Sequence, residues 1–391
     1  MPPTPQRSVA TSSEQQTRLI VELIEHGEAA SRSEISRILG LAPSTVSLRV
    51  AELERAGVLV EEGVGASSGG RKPRILRLRE GNDYLLVADL GGEHARIGRV
   101  NLSHGLVETK TVPVRISDGP LATLALLTEA LIALAANNSS QGSVRGVGVA
   151  LPGPVDIDRG GVDLPSRMPG WQGFDVRDWI EQRFEVPSVV DNDANLMALG
   201  EHYAQLGPND HSITVKAGTA IGSGIIVSGA LHRGATGAAG DVTHTRISAA
   251  ASTPCSCGNT GCLETMASGA GLVRQLRERG SSVTSTAEVL ALARDGDPQA
   301  TMLVRTAGVY LGEVLSSVVN FFNPDALFLT GGMSSSEPFI AAVRSRVYEG
   351  CHPLVTQRLR IESASTGPDA GLLGAAHLAR EKVAATERQR A

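Results

Sequence analysis

His244, Cys255, Cys257 and Cys262 are the residues whose types and spacing offer the clearest chemistry. Three of the four cysteines in this 391-residue chain fall in the run Cys255-Ser256-Cys257-Gly258-Asn259-Thr260-Gly261-Cys262, and His244 stands eleven residues upstream. Thiolates and imidazole are the ligands Zn²⁺ prefers, and four of them close a tetrahedral site with no position left for water. That is a structural rather than a catalytic centre. A disulfide framework fits less well, because a C-x-C pair is badly placed for one and the local set is odd in number. Glu264 follows two residues after the last thiolate, so a metal here would hold it rigidly without consuming it.

The elements that must position these groups occupy a chain long enough for two or three domains. At 41% hydrophobic and 20% charged it has an ordinary globular composition, with aromatics scarce at 3%. The formal net charge of −5 gives no global attraction to nucleic acid, so any DNA contact must come from a local patch. No uninterrupted apolar run reaches the roughly 18–20 residues of a membrane span, and the Met1–Ser8 start lacks the apolar core of a signal peptide. A cytoplasmic protein with reduced or metal-bound thiols is expected, with no membrane partner.

Residues 1–13, rich in Pro, Ser and Thr, are expected to be disordered. From Glu14, Leu19, Ile20, Leu23 and Ile24 recur at helical spacing until Gly27. A short helix fits Ser33–Leu39; Gly40-Leu41-Ala42 turns, and Pro43 opens a third helix to about Ala56. Val46, Val50 and Leu53 form its buried stripe and leave Ser44, Thr45, Ser47, Leu48 and Arg49 outside. This is the helix-turn-helix pattern, in which the polar-faced helix enters the major groove. Val58–Glu61 and Ile75–Leu78 read as strands of a wing whose tip carries Arg71 and Lys72, with Arg74, Arg77 and Arg79 close behind. A narrow basic tip suits the minor groove. The expected DNA contacts are therefore Ser44, Thr45, Ser47, Arg49, Arg71 and Lys72, in a winged helix-turn-helix of residues 14–80.

A larger domain of residues 84–382 follows. Tyr84–Gly92 is a buried strand ending in Asp89 and two glycines, with antiparallel strands at Arg96–Val100 and Leu106–Val112. After a helix to Ala136, strands at Val144–Ala150 and Ser188–Val190 lead into Asp191-Asn192-Asp193-Ala194-Asn195 and another helix. The opening pattern then recurs as the strand Ser212–Lys216, the turn Ala217–Gly224 and the strand Ile225–Val227; a third glycine turn, Gly331-Gly332, follows the strand Ala326–Leu329. Two strand–glycine–strand units suggest two related lobes facing across a cleft: about 84–195 and about 196–370, with a C-terminal helix at about 371–388. Glycine turns with free backbone N–H groups commonly cradle phosphates, and Asp89 is placed to hold Mg²⁺.

These residues resemble the ROK family of bacterial sugar kinases and sugar-responsive repressors, over nearly the whole chain. The marks are Gly148–Asp156, Asn192-Asp193-Ala194-Asn195, Gly237–His244, and the cysteine cluster with Leu263-Glu264. The resemblance implies a two-lobed α/β actin-like ATPase fold behind the α+β winged helix-turn-helix, assembled as homodimers or homotetramers. It implies a regulator of carbohydrate-utilisation genes, a repressor that a sugar or sugar derivative releases from operator DNA. It assigns sugar hydroxyls to Asn192, Asp193, Asp241, His244 and Glu264, with His244 using one ring nitrogen for zinc and the other for sugar. In a kinase Asp193 would also be the catalytic base. Asn192 and Asp193 are equally suited to capping a helix.

Departures from the kinase pattern point to lost phosphotransfer. Glu93-His94 stand where a kinase has Thr and then Lys or Asn, so a carboxylate faces the triphosphate site. Ala220 replaces a glycine, where a Cβ would block backbone approach or a positive φ. Asp241 and Thr243 replace Glu and Gly of the sugar motif. ATP and Mg²⁺ are thus not expected as cofactors, nor catalytic residues. The competing readings are an ATP-dependent hexose kinase with a DNA-binding appendage and a regulator answering to a protein partner.

Overall fold

In the computed structural model the chain divides into two compact units, between residues 81 and 82. The structure describes residues 13–25, 27–55, 58–64, 74–78, 83–102, 105–136, 142–163 and 168–390. Residues 1–12 of the expected disordered stretch and Arg71, Lys72 and Arg79 of the wing lie outside the described residues, while Ser13 begins a helix.

The small unit comprises α1 (Ser13–Glu25), α2 (Arg32–Leu39), α3 (Pro43–Arg55), β1 (Leu59–Val64) and β2 (Arg74–Leu78), the strands pairing antiparallel. Ser31 and Glu34 form a capping box that starts α2: Ser31 Oγ accepts from Glu34 N at 3.3 Å, and Glu34 Oε2 accepts from Ala30 N at 2.8 Å. Gly40 ends α2 with φ of 64°. Ile20, Ile35, Val46, Val50, Leu59 and Leu76 close the core. Of the expected DNA-facing residues on α3, Ser44, Ser47 and Leu48 are exposed and Thr45 and Arg49 half-buried. Arg49 is paired with Glu52 at 2.8 Å. Arg74, counted with the basic wing, is neutralised by Glu61 at 2.6 Å, which Arg32 also contacts.

The large unit repeats one topology twice. In the first repeat β3 (Tyr84–Leu90), β4 (His94–Asn101) and β5 (Gly105–Pro113) form an antiparallel meander. Helix α4 (Pro120–Ala136) leads to β6 (Val144–Leu151), parallel to β3. After the two-residue ribbons β7 (Val155–Asp156) and β8 (Gly161–Val162), α5 (Val176–Phe184) leads to β9 (Ser188–Asn192), parallel to β6, and then α6 (Asp193–Gln205). The second repeat runs β10 (Ser212–Ala217), β11 (Ile221–Val227) and β12 (Ala230–His232), then the cysteine loop and α7 (Glu264–Ala267), α8 (Gly269–Glu278), α9 (Thr286–Arg294) and α10 (Pro298–Phe322). It closes with β13 (Ala326–Thr330), α11 (Glu337–Gly350), α12 (Pro353–Thr356), β14 (Arg360–Ser363) and α13 (Ala370–Arg390). The strand orders β5-β4-β3-β6-β9 and β12-β11-β10-β13-β14 are equivalent, each with an antiparallel meander and two parallel strands. This duplicated, two-lobed arrangement is the actin-like fold.

Both faces of the first sheet are covered, which is why β3 reads as a continuous apolar run. Leu86 and Ala88 pack toward Leu124, Leu131 and Ile180 of α4 and α5; Leu85 and Val87 pack toward Leu372, Ala375 and Ala379 of α13. Among the described residues one helix, α10, is long and apolar enough to cross a membrane; half of it is buried, including Leu303, Val304, Leu311, Leu315 and Val319 in the second core.

The last helix of each repeat packs on the other repeat's sheet: α6 lies on β10 and β11, and α13 on β3, β6 and β9. The two helices cross backbone to backbone. A Cβ on Gly200 would fall 2.1 Å from the Ala370 carbonyl oxygen, and one on Gly374 would fall 1.8 Å from that of Leu196.

Glu201 pins the same crossing. Its fully buried carboxylate accepts from Ser365 N at 2.5 Å and Thr366 N at 3.0 Å, and from the Thr366 hydroxyl and Gln205 amide. Burial pushes this carboxyl up, but the Thr366 and Ser365 hydrogen bonds outweigh it and hold it below the usual glutamate range. A group with a lowered folded pKa contributes stability above its unfolded value and loses it as pH falls through the folded one. Glu201→Gln is therefore expected to cost about 1–3 kcal/mol at neutral pH, the scale of a broken buried charged hydrogen bond. The difference from wild type should shrink on acidification below the glutamate range, as read by urea midpoints at several pH values.

Candidate sugar-binding cleft and metal centre

Asn192 and Asp193 stand where β9 turns into α6. Asn192 is the N-cap: its Oδ1 accepts from Ala194 N at 3.0 Å and Asn195 N at 3.2 Å, and its Nδ2 donates to the Gly153 carbonyl at 2.9 Å. The amide therefore ties the helix start to the Gly153 loop. Asp193 is buried; Oδ1 accepts from Ala194 N at 2.7 Å, and Oδ2 accepts from Lys216 Nζ at 2.5 Å. Behind them Asp191, 1% exposed, accepts from Arg233 Nε and Nη2 at 3.0 and 2.7 Å and from Asn195 Nδ2 at 3.0 Å. A buried carboxylate needs such partners. Lys216 and Arg233 carried no sequence signal, being single cations in or beside strands.

The first three residues of β11 gather the rest of the site. Ile221 N donates to Glu264 Oε2 at 3.0 Å. Gly222 lies under the start of α6, where a Cβ would be 3.0 Å from Ala194 Cβ. Ser223 Oγ donates to the Gly240 carbonyl, beside Asp241, whose side chain is exposed. Glu264 is buried, and its Oε2 also accepts from Thr243 Oγ1 at 2.9 Å. Thr243, marked above as a departure, thus fixes the carboxylate of Glu264.

The strand glycines of this hairpin have a packing role. Gly224 allows α6 to lie on the strand, since a Cβ there would be 2.6 Å from Ala198 Cβ and 2.8 Å from the Ala194 carbonyl oxygen. Ala220 is absent from the non-glycine positions with positive φ, so it occupies ordinary backbone and the expected φ conflict does not arise. Glu93 is exposed at the β3–β4 turn. Trp171 is fully buried in the first repeat, and its Nε1 donates to the Ile116 carbonyl at 2.9 Å.

His244, Cys255, Cys257 and Cys262 converge, their ligand atoms all within 4.8 Å of one another. The loop is shaped by Cys255 N donating to the Asn259 carbonyl at 2.8 Å and by Gly258 and Gly261 with φ of 89° and 79°. A regular zinc tetrahedron with Zn–S of about 2.3 Å and Zn–N of about 2.0–2.1 Å has edges near 3.8 Å for S···S and 3.6 Å for N···S. Cys257 Sγ lies 3.7 Å from Cys262 Sγ, and His244 Nδ1 lies 3.5 Å from Cys255 Sγ. Burial and the two neighbouring thiols push Cys262 up to about 12. At Cys257 burial acts in the same direction but is outweighed by hydrogen bonds from Asn259, Cys255 and Cys262, which hold it low. The residues fit a structural zinc. With Nδ1 toward the sulfurs, His244 presents Nε2 away from the centre.

A helix-turn-helix unit joined to a duplicated sugar-kinase-like fold that carries a Cys/His cluster defines the class of DNA-binding regulators built on a kinase scaffold. Residues 86–382 match the ROK family, and residues 13–60 match winged helix-turn-helix DNA-binding domains. The chain belongs to the ROK family. It is 29% identical over 361 residues to the xylose repressor of Bacillus spizizenii, covering 91% of this chain and 92% of that protein. It superposes with a TM-score of 0.76, at 25% identity, on the crystal structure of a ROK family transcriptional regulator, a homologue of the E. coli MLC protein, covering 95% and 97% of the two chains. A ROK family glucokinase from Streptomyces griseus, crystallised with glucose and AMPPNP, superposes at 0.65 with 29% identity, covering 76% of this chain and 99% of its own.

Proposed function

We propose that this protein is a transcriptional repressor of carbohydrate-utilisation genes, released from operator DNA by a neutral sugar bound in the large unit. The observation that carries this reading is the pairing of an exposed recognition helix with a cleft whose acid, Asp193, is held by a protein cation. Ser44, Thr45, Ser47, Arg49, Arg71 and Lys72 contact DNA. Asn192, Asp193, Asp241, His244 and Glu264 take the sugar hydroxyls, and a zinc on His244, Cys255, Cys257 and Cys262 fixes the loop that carries Glu264. A palindromic operator calls for a homodimer or a dimer of dimers, acting in the cytoplasm where the DNA is. Xylose is the first sugar to test, on the strength of the repressor relative. Phosphotransfer is lost in this reading.

Operator affinity measured by fluorescence anisotropy should fall when the sugar is added. A sugar that binds without changing that affinity would overturn the release mechanism. Ser47→Ala, at an exposed position, should weaken specific binding by about tenfold while leaving non-specific binding unchanged, the scale of one lost base contact. The kinase relative favours a second reading, an ATP-dependent hexose kinase with a DNA-binding appendage. ADP formation from Mg-ATP across a hexose panel, absent in Asp193→Asn protein, would establish that reading instead.

A further inference from the structure

Strand β10 brings a cation into the floor of the acidic cleft. Lys216 is half-buried, its side chain 27% exposed, and its Nζ lies 2.5 Å from Asp193 Oδ2. Asp89, at the end of β3 in the other repeat, interacts electrostatically with both Lys216 and Asp193. The first turn of α13 also passes close to Asp89. A Cβ on Gly371, in the first turn of α13, would fall 2.4 Å from Asp89 Oδ2 and 2.7 Å from its Cγ. Burial, with the Lys216 charge opposing it and the Asp193 charge adding to it, pushes Asp89 up to about 7.

Asp89 on β3 and Asp193 at the start of α6 both belong to the first repeat, and a pair of neighbouring carboxylates is a usual way to share a hydrated divalent metal. Mg²⁺ requires near-octahedral oxygen ligands at about 2.0–2.1 Å and keeps several of its waters. Here one oxygen of Asp193 is already taken by the Lys216 ammonium, which occupies the place a metal shared with Asp89 would need. The residues present do not fit the metal.

We infer that Lys216 is a tethered cation standing in for the divalent metal between Asp89 and Asp193, so that the cleft holds its sugar with no metal or nucleotide. The purpose of this arrangement rests on the sensor reading above; its test does not. Lys216 needs neither uptake nor release, and it holds the Asp193 carboxylate at a fixed place at the start of α6. The charges also make the cleft unwelcoming to anions: Asp89, Asp193, Asp241 and Glu264 outnumber Lys216 and Arg96, and Arg233 is already paired with Asp191. A neutral polyol or aldose fits this balance, and a sugar phosphate or sugar acid does not.

The test uses the full chain loaded with zinc and Mn²⁺ as the probe, followed by its electron paramagnetic resonance signal. Wild-type protein is expected to show no Mn²⁺ site that depends on Asp89. Lys216→Ala should gain one, binding Mn²⁺ roughly a hundredfold or more tighter than the residual binding of wild type, the scale of removing a unit charge from beside the metal. Adding Asp89→Asn to that variant should abolish it. Lys216→Gln keeps a hydrogen bond to Asp193 without the charge and serves as the second variant if the alanine protein does not fold; it should gain the same site. An Asp89-dependent Mn²⁺ site in wild type overturns the inference. So does the absence of any gained site in a variant whose circular dichroism and zinc content match wild type. A protein that passes this test yet shows no sugar effect on operator binding would overturn the repressor reading alone.

Discussion

Cys257→Ser protein is expected to lose its zinc, to denature at lower temperature than wild type, and to bind sugar at least roughly tenfold more weakly, the scale seen when groups supporting a metal-held site are removed. Cys257 is the informative ligand to change because it is exposed, so serine opens no cavity in a core. The neighbouring ligand Cys262 is buried, and its replacement would mix packing with ligation. Structural zinc contributes about 10–16 kcal/mol of apparent binding free energy in small zinc domains at neutral pH. Here that energy would hold one loop, whose local hydrogen bonds alone must otherwise order three crowded sulfurs. The sugar effect follows from covalent distance. Glu264 is two residues past Cys262 and receives Ile221 N and Thr243 Oγ1, so a loosened loop moves its carboxylate off β11. Cys351→Ser is the control, since that thiol is buried elsewhere and donates to the Ser316 carbonyl. Metal analysis of purified protein decides the matter: wild type without zinc, or Cys257→Ser protein that retains it, would remove the metal from this account.

The second large effect concerns a single hydrogen atom. Gly→Ala inside a helix is normally stabilising by about 1 kcal/mol, because alanine has the better helix propensity. At Gly374 the sign should reverse. The new methyl would sit 1.8 Å from the Leu196 carbonyl oxygen and 2.6 Å from its carbon, both backbone atoms of α6 that no rotamer change can move. The helices must separate, and overpacking of this kind costs about 1–3 kcal/mol, at times more. Gly374→Ala is therefore expected to lower the chemical-denaturation midpoint markedly or to yield insoluble protein. Gly332→Ala, where the nearest atom is Leu290 Cδ1 at 3.9 Å, should be close to neutral. A Gly374→Ala protein as stable as wild type would mean that α6 and α13 do not cross at this distance.

Signals carried by neighbouring residues were legible in the chain. Gly40 and Pro43 mark the turn and restart of the small unit, Tyr84–Leu90 announces a strand covered on both faces, and the C-x-C spacing with Cys262 and His244 assembles as its ligand chemistry requires. Asn192 was readable as a cap for the same local reason. What stayed hidden depends on residues far apart in sequence. Lys216 becomes notable only when β9 sets Asp193 against it, and Arg233 only when Asp191 is seen to be buried. Gly222 and Gly224 invited a phosphate reading, because nothing local says that α6 will lie across them. The exchange of terminal helices between repeats was equally silent, since α13 looks the same in sequence whichever sheet it covers. Asp241 and Thr243 looked like two defects of one motif; in the fold one is an exposed carboxylate and the other a clamp on Glu264.

That exchange of helices has a consequence for how the protein is made. Leu85, Val87, Val100 and Ala150 are covered on one side by Leu372, Ala375, Ala376, Ala379 and Val383. During synthesis the first sheet can be complete by residue 192, yet that apolar side stays wet until the chain has grown past Val383. At the usual 5–20 residues per second this is an exposure of about 10–40 s. The large unit thus cannot mature in chain order; its first half waits for its last helix, and contacts of such long sequence separation make for slow folding. The early sheet is the part of this molecule that most needs shelter while the ribosome is still at work.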